Sequence, residues 1–364
     1  MKKSVTSAYI HVPFCENICS YCDFCKMYYN EKQVSNYLEA LEKEIKNGYK
    51  GEELKTLYIG GGTPSSLCVI ELERLLKILN GFNKASVCEY TMEVNPENIT
   101  KEKLLLMKQY GINRISMGVE TTNDNLLSFL NRKHDYNMVK EKVLLMKKLG
   151  FNNINLDLIY AIPNQTISDL KNDLDNLISL DINHISLYSL MVNNNTKLFI
   201  DNVSPIDEDL DYEMYSYLCN YLKEHGFNHY EISNFSKEGY ESHHNLVYWH
   251  NEEYYGFGLG ASGYIGDIRY ENTKSLANYL KGNYRLNEEA LSKEDKISYE
   301  LILGFRLING INKTDFYNKY GVNLVDLYNI KELINDKKLI DNGSNIMISY
   351  DKIYVENEIL INFL

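Results

Sequence analysis

The chain has 364 residues, 44% hydrophobic and 24% charged, with 50 acidic against 38 basic side chains and a net charge of -12 at neutral pH. That composition suits a globular protein with one large domain, or a large and a small one, and the acidic balance excludes nucleic acid and anionic membranes as partners unless a local basic patch exists; the lysines are instead scattered, mostly beside Glu or Asp. No apolar run approaches the roughly eighteen residues of a membrane segment, and the N-terminal MKKSVTSAYIHVPFC carries two lysines but no apolar stretch of signal-peptide length, so a reducing cytoplasm is expected.

Ala8–Val12 reads as a first strand, and four of the seven cysteines, Cys15, Cys19, Cys22 and Cys25, follow it at once. A helix is predicted over Val34–Lys46, then a strand over Thr56–Gly60 that runs into GGGTP. Helix and strand then alternate: Ile70–Leu79, Tyr90–Val94, Lys101–Gln109, Arg114–Val119, Tyr136–Leu149, Asn153–Ile159, Ile167–Leu180 and His184–Leu190. Tyr136–Leu149 shows the helical period, with Val139, Val143, Leu144, Met146 and Leu149 apolar and lysines between them. Strand-then-helix units at roughly thirty-residue spacing imply a parallel sheet with right-handed crossovers. Six such units, without a doubly wound fingerprint after the first strand, predict an α/β fold of the TIM-like kind, a partial (β/α)6 barrel whose chemistry sits at the C-terminal ends of the strands.

Residues 1–234 are thus assigned to the barrel, 235–285 to a loop region rich in His, Tyr and Gly, and 286–364 to a small, mostly helical, winged-helix-like C-terminal domain. A closing hairpin is predicted from Asn345–Tyr350 and Lys352–Glu356. Gly258, Gly260 and Gly263 spell G-x-G-x-x-G. They lack the early strand–helix context of a dinucleotide site and are expected to form a tight loop over the barrel mouth.

Clustered thiols in a reducing compartment point to metal ligands before disulfides. Cys15, Cys19 and Cys22 form C-x3-C-x2-C, and three thiolates on one loop can hold a four-iron cluster while leaving one iron open to a small molecule. Adding Cys25 would make a four-thiolate zinc site, although structural zinc usually draws its ligands from two separate knuckles. Cys68, Cys88 and Cys219 read as small buried hydrophobes.

The segments YIHVPFCENICSYCDF, LYIGGGTPS, MEVNPE, GINRISMGVE, INLDLIYAIPNQT, HISLYSL, HYEISNF and HHNLVYWHNEEYYGFGLGAS extend through the chain in that order. In them the sequence resembles the radical S-adenosylmethionine superfamily, in the group that holds oxygen-independent coproporphyrinogen III dehydrogenase and the HemW-type heme chaperones. The resemblance implies a [4Fe-4S] cluster on Cys15, Cys19 and Cys22, with S-adenosylmethionine chelating the open iron and an electron donor supplying the cluster. It implies that Gly61, Gly62 and Thr63 approach the methionine moiety, that Glu93 and Arg132 pair with its charged groups, and that Asp157 accepts from the ribose. Tyr9 and Tyr21 occupy the family's aromatic positions beside the cluster, and Glu120 stands where the family usually has glutamine after GV.

Within the group, Phe24 matches the chaperone, since the dehydrogenase carries a further cysteine there. The first cluster cysteine comes only fifteen residues in, leaving no room for the dehydrogenase's N-terminal extension. His244, Asn245, Tyr248 and Trp249 make H-N-x-x-Y-W, similar to the chaperone's heme motif, with His244 the expected iron ligand and His243 and His250 local competitors. Cys25 is given no ligand role. The resemblance therefore implies a protein that binds heme as cargo and passes it to heme-accepting proteins. Oxidative decarboxylation of coproporphyrinogen III, radical methylation of heme and a zinc-stabilised barrel are the alternatives.

Overall fold

The computed structural model describes residues 5–364; Lys2 and Lys3 of the N-terminal reading lie outside them. Six strands, β1 Ser7–Val12, β2 Leu54–Gly61, β3 Lys84–Val94, β4 Arg114–Glu120, β5 Asn153–Tyr160 and β6 His184–Ser189, lie side by side in sequence order and parallel. Helices connect them: α1 Glu31–Gly48, α2 Val69–Leu79, α3 Lys101–Gln109, α4 Tyr136–Lys148 and α5 Ile167–Ser179. Helix starts are set by side-chain caps, Asn30 on Gln33 N–H, Thr100 on Lys103, Asp135 on Met138 and Thr166 on Asp169. A further helix, α6 Glu208–Glu224, was not anticipated. It leads into two short strands, β7 Asn228–Glu231 and β8 Asn234–Ser236, which finish one edge of the sheet antiparallel.

Because successive residues of a strand face opposite ways, the sheet has two chemically distinct sides. In register across β1 to β5, Ile10, Ile59, Met92, Ile115 and Ile154 form an apolar row, each fully buried. The alternate row is polar: Glu93 partners Ser116, Ser116 partners Asn155, and Asn155 partners His184. Its members satisfy each other, Asn155 Nδ2 donating to Ser116 Oγ at 2.8 Å and Asn155 Oδ1 bonding His184 Nδ1 at 2.6 Å. One face is thus a hydrocarbon core and the other a polar interior where charged groups can be held.

The segment 235–285 is more than a loop. It contains α7 His243–Trp249, and its strand β9 Tyr255–Gly258 pairs in parallel with β1, so it completes the second edge of the nine-stranded sheet. An antiparallel sheet of β10 Ser262–Ile265, β11 Ile268–Asn272 and β12 Arg285–Ala290 follows. The three glycines do not make one loop: Gly258 ends β9, Gly263 lies in β10, and Gly260 turns between them at φ +74° against Cys25.

In the C-terminal region α8 Lys293–Gly304, α9 Lys313–Tyr320 and α10 Ile330–Asn335 pack with a small antiparallel sheet of β13 Ile311–Asn312, β14 Leu339–Asp341 and β15 Asn345–Ile348. The order of elements is that of a winged helix. The hairpin differs from expectation: it is β14 with β15, while 350–355 form a 3-10 helix. Ile353, expected on a strand, is buried as part of that helical turn. No helix among the described residues is long and apolar enough to cross a membrane.

Candidate functional site

The cysteine loop leaves the C-terminal end of β1, and its two ends are tied together. Phe14 and Cys15 pair in parallel with Met27 and Tyr28, so the intervening residues form a closed excursion. Its middle is pinned to the turn after β4: Ser20 N–H donates to Leu130 O at 3.0 Å, and Asn131 Nδ2 to Ile18 O at 2.8 Å. Cys15, Cys19, Cys22 and Cys25 are all free thiols. Burial pushes Cys15 and Cys25 up and Cys22 to about 11. Among the described residues no three His, Cys, Asp or Glu side chains are grouped to share one metal ion, which bears equally on the three-thiolate and the four-thiolate arrangements. Of the other cysteines only Cys219 is buried; Cys68 is exposed ahead of α2 and Cys88 half-buried, which corrects the expectation for those two.

A chain of hydrogen bonds across three strand ends links two of the cluster cysteines. Thr63 Oγ1, after β2, donates to Cys15 Sγ at 3.4 Å. Asn95, after β3, donates through Nδ2 to Thr63 Oγ1 at 3.3 Å and accepts from Arg132 Nη2 at 3.2 Å. Arg132 Nη1 then donates to Cys19 Sγ at 3.4 Å. Both donors point at sulfur atoms that would carry negative charge as cluster ligands. Arg132 Nε is buried without a partner, which leaves a cationic donor for a carboxylate. The glycine run sits tightly in this frame: a Cβ on Gly62 would meet Pro13 C at 2.7 Å and Cys15 Sγ at 2.9 Å. The residues present therefore suit the cluster and the amino acid end of S-adenosylmethionine.

Around this frame the other predicted residues gather. Glu93, near the end of β3, accepts from Tyr58 Oη at 2.9 Å and from Gly61 N–H at 3.0 Å. Burial raises its carboxyl to about 7, with Asp157 adding to the rise and the two donors opposing it. Asp157 accepts from Asn155 Nδ2 at 2.7 Å, and burial raises it too. A bulge in the β4–β5 register places Glu120 at φ +67°, re-aiming its side chain inward. There Glu120 lies 3.8 Å from Arg132 and bonds Tyr21, and burial lifts it to about 7 against the pull of Arg132. Tyr9 Oη bonds His11 Nδ1 at 3.0 Å, and His11 Nε2 bonds Cys25 O at 2.7 Å.

His244 packs against this assembly through Tyr58, the donor to Glu93. It is 1% exposed, stacked on Tyr58 at 5.1 Å, with Nδ1 bonded to Thr56 Oγ1 and Nε2 to Tyr248 Oη, each at 2.8 Å. Burial lowers it to about 3. Both ring nitrogens are taken, so His244 meets iron only if the interior rearranges, contrary to the expectation of a free axial ligand. The carboxylate of Glu89 receives the N–H groups of His243 and His244 at 2.9 Å each and anchors the start of α7. A cavity of about 700 Å³ opens between the cluster loop, β1 and α7. Tyr9, His11, Phe24, Cys25, Tyr248 and Tyr254 contribute to its walls, with Lys26 and Lys274 also lining it.

Sequence reasoning missed Asn95, Tyr58 and the buried Arg114, although Asn95 stands in the quoted MEVNPE and Arg114 opens a predicted strand. Arg114 is 2% exposed and its charge offsets the buried Glu93 and Asp157. A charged arginine opening the strand RISMGVE was the available signal.

Parallel strands in sequence order around a polar interior, with four free cysteines on the loop after the first, three of them in C-x3-C-x2-C, define a radical S-adenosylmethionine protein. Residues 9–177 match the radical SAM superfamily and residues 291–349 the HemN C-terminal domain. The fold is similar to that of coproporphyrinogen III oxidase (HemN) from Escherichia coli, a radical SAM enzyme, with a TM-score of 0.87 at 22% identity, covering 99% of this chain and 90% of that one. The chain is 40% identical over 375 residues to heme chaperone HemW of Lactococcus lactis subsp. lactis, covering 100% of this chain and 98% of that protein. It is 38% identical over 374 residues to heme chaperone HemW of Bacillus subtilis, covering 98% and 99%. The chain belongs to the HemW family.

Proposed function

We propose that this protein is a cytoplasmic heme chaperone that carries a [4Fe-4S] cluster, binds S-adenosylmethionine and hands heme to acceptor hemoproteins. Cys15, Cys19 and Cys22 would hold the cluster; Cys25, whose backbone carbonyl is engaged by His11 and whose side chain borders Gly260, would not. Gly61–Thr63, Glu93, Arg132 and Asp157 would hold S-adenosylmethionine, whose chemistry when bound is the supply of a 5'-deoxyadenosyl radical on reduction by an external electron donor. The chain's own part is to orient: Arg132 offers its unpaired Nε to a carboxylate, Glu93 offers its carboxylate to an ammonium, and Thr63 and Arg132 donate to the sulfurs of Cys15 and Cys19.

The observation that carries the chaperone reading is the cavity beside the cluster loop. Its volume of about 700 Å³ lies in the range of small-molecule sites, and Tyr9, Phe24, Tyr248 and Tyr254 give it the flat aromatic surfaces that a porphyrin needs. Phe24 is 66% exposed, an apolar ring kept in solvent at the edge of the site. The test pairs two assays on cluster-reconstituted protein: ferric heme binding, and turnover of coproporphyrinogen III with S-adenosylmethionine. Heme binding without decarboxylation is expected. Propionate loss dependent on S-adenosylmethionine, from a protein that binds no heme, would assign the dehydrogenase reaction instead.

A further inference from the structure

Resting on the heme-chaperone reading, we propose that Tyr248, not His244, supplies the atom that binds heme iron, and that His244 positions and polarises it. Of the residues in H-N-x-x-Y-W, Tyr248 lines the cavity and His244 does not. His243 and His250 are exposed and also lie outside the lining. His11 does reach the cavity, but both its nitrogens are engaged, by Tyr9 Oη and by Cys25 O. Tyrosine is an established type of heme ligand.

The geometry around Tyr248 suits that role. His244 lies one helical turn earlier on α7, so its ring stands beside Tyr248, and the rings meet edge to face at 5.1 Å. Burial keeps His244 uncharged. Burial holds the free Tyr248 phenol well above its usual range, so it is a phenol until iron takes the place of its proton; in the tautomer where Thr56 donates to Nδ1, Nε2–H then donates to the coordinated Tyr248 Oη. On coordination the phenol O–H bond breaks and an Fe–O bond forms. No electron moves, and the proton leaves to solvent through the cavity. Tyr254, edge to face with Tyr248 at 4.7 Å, and Phe24 offer faces for the macrocycle. Lys26 and Lys274 at the same cavity offer ammonium groups to its carboxylates. A neutral histidine behind a tyrosine also explains why a buried imidazole with no free nitrogen stands in a heme motif.

The experiment is a titration of full-length protein with ferric heme, read by absorption and resonance Raman spectroscopy. The native chain is expected to show phenolate-to-iron charge transfer and phenolate ring modes. Tyr248→Phe should lose both and bind heme at least about tenfold more weakly, while folding and cluster loading stay unchanged. His244→Gln, which can still donate to Tyr248, and Cys25→Ser should keep the phenolate signature. A histidine-type spectrum that survives Tyr248→Phe and disappears in His244→Gln, or a thiolate-type spectrum that disappears in Cys25→Ser, would overturn the assignment while leaving the chaperone reading intact. Absence of any heme binding by the native chain would overturn both.

Discussion

Replacing Glu93 with glutamine tests the electrostatics of the polar interior. A carboxyl raised by burial from 4.5 to about 7 binds a proton in the folded state that the unfolded chain has already released. Between pH 4.5 and 7 the native state holds more protons than the unfolded one, so stability falls as pH rises through that window. The shift of about 2.5 pH units corresponds to about 3 kcal/mol at 1.36 kcal/mol per unit; the partial exposure of Glu93 discounts this to about 2 kcal/mol. Glu93→Gln cannot titrate, yet it can accept from Gly61 N–H and donate to Tyr58 Oη, replacing both bonds that the carboxylate makes. Urea unfolding of cluster-free protein between pH 5 and pH 8 should therefore show the native chain losing stability relative to the variant, with the variant about 2 kcal/mol more stable at pH 8. Other buried carboxylates titrate in both proteins and cancel in the difference. Parallel stability curves for the two proteins across that range would refute the reasoning. The same variant should bind S-adenosylmethionine at least about tenfold more weakly, because a neutral amide replaces the charge available to its ammonium.

Cys15→Ser, Cys19→Ser and Cys22→Ser should each yield protein without a cluster after anaerobic reconstitution, and Cys25→Ser protein with about four irons and four sulfides per chain, read by iron and sulfide analysis. Gly62→Ala should destabilise the fold by about 1–3 kcal/mol and impair cluster loading, because its Cβ would press on the Pro13 backbone and Cys15 Sγ at 2.7 and 2.9 Å; thermal unfolding and iron content report the two effects. Trp249 is the only tryptophan and adjoins Tyr248, so added heme should quench its fluorescence with the same dependence on concentration as the absorption change.

The local part of this protein was written in short-range chemistry. The parallel strands β1 to β6 showed as apolar runs between capped, amphipathic helices, because strand burial and helix capping depend on residues a few positions apart. The cysteine loop was legible for the same reason: Cys15, Cys19 and Cys22 lie on one excursion, and their spacing is a property of the chain itself. That Thr63, Glu93 and Arg132 belong near that loop was implied by the resemblance; the parallel sheet gathers Thr63 and Glu93 at its strand ends, while Arg132 comes in from beyond the short helix Asp124–Phe129.

Tertiary structure decided what depends on partners far along the chain. That Tyr255–Gly258 would leave the supposed loop region and pair with β1 is a matter of register between segments more than two hundred residues apart, and nothing local encodes it. The C-terminal hairpin was misplaced because Lys352–Glu356 has mixed polarity that suits a strand or a helical turn; the burial of Ile353 in a 3-10 turn settles it. Asn95 became visible as the bridge between Thr63 and Arg132 only when three strand ends stood side by side. The same holds for His244, a residue whose type suggests a metal ligand. Its two nitrogens are occupied by Thr56 and Tyr248, one of them 188 residues away. Hydrogen-bond capacity is spent on whichever partners the fold delivers, so the motif's availability for iron was set by packing and not by its spelling.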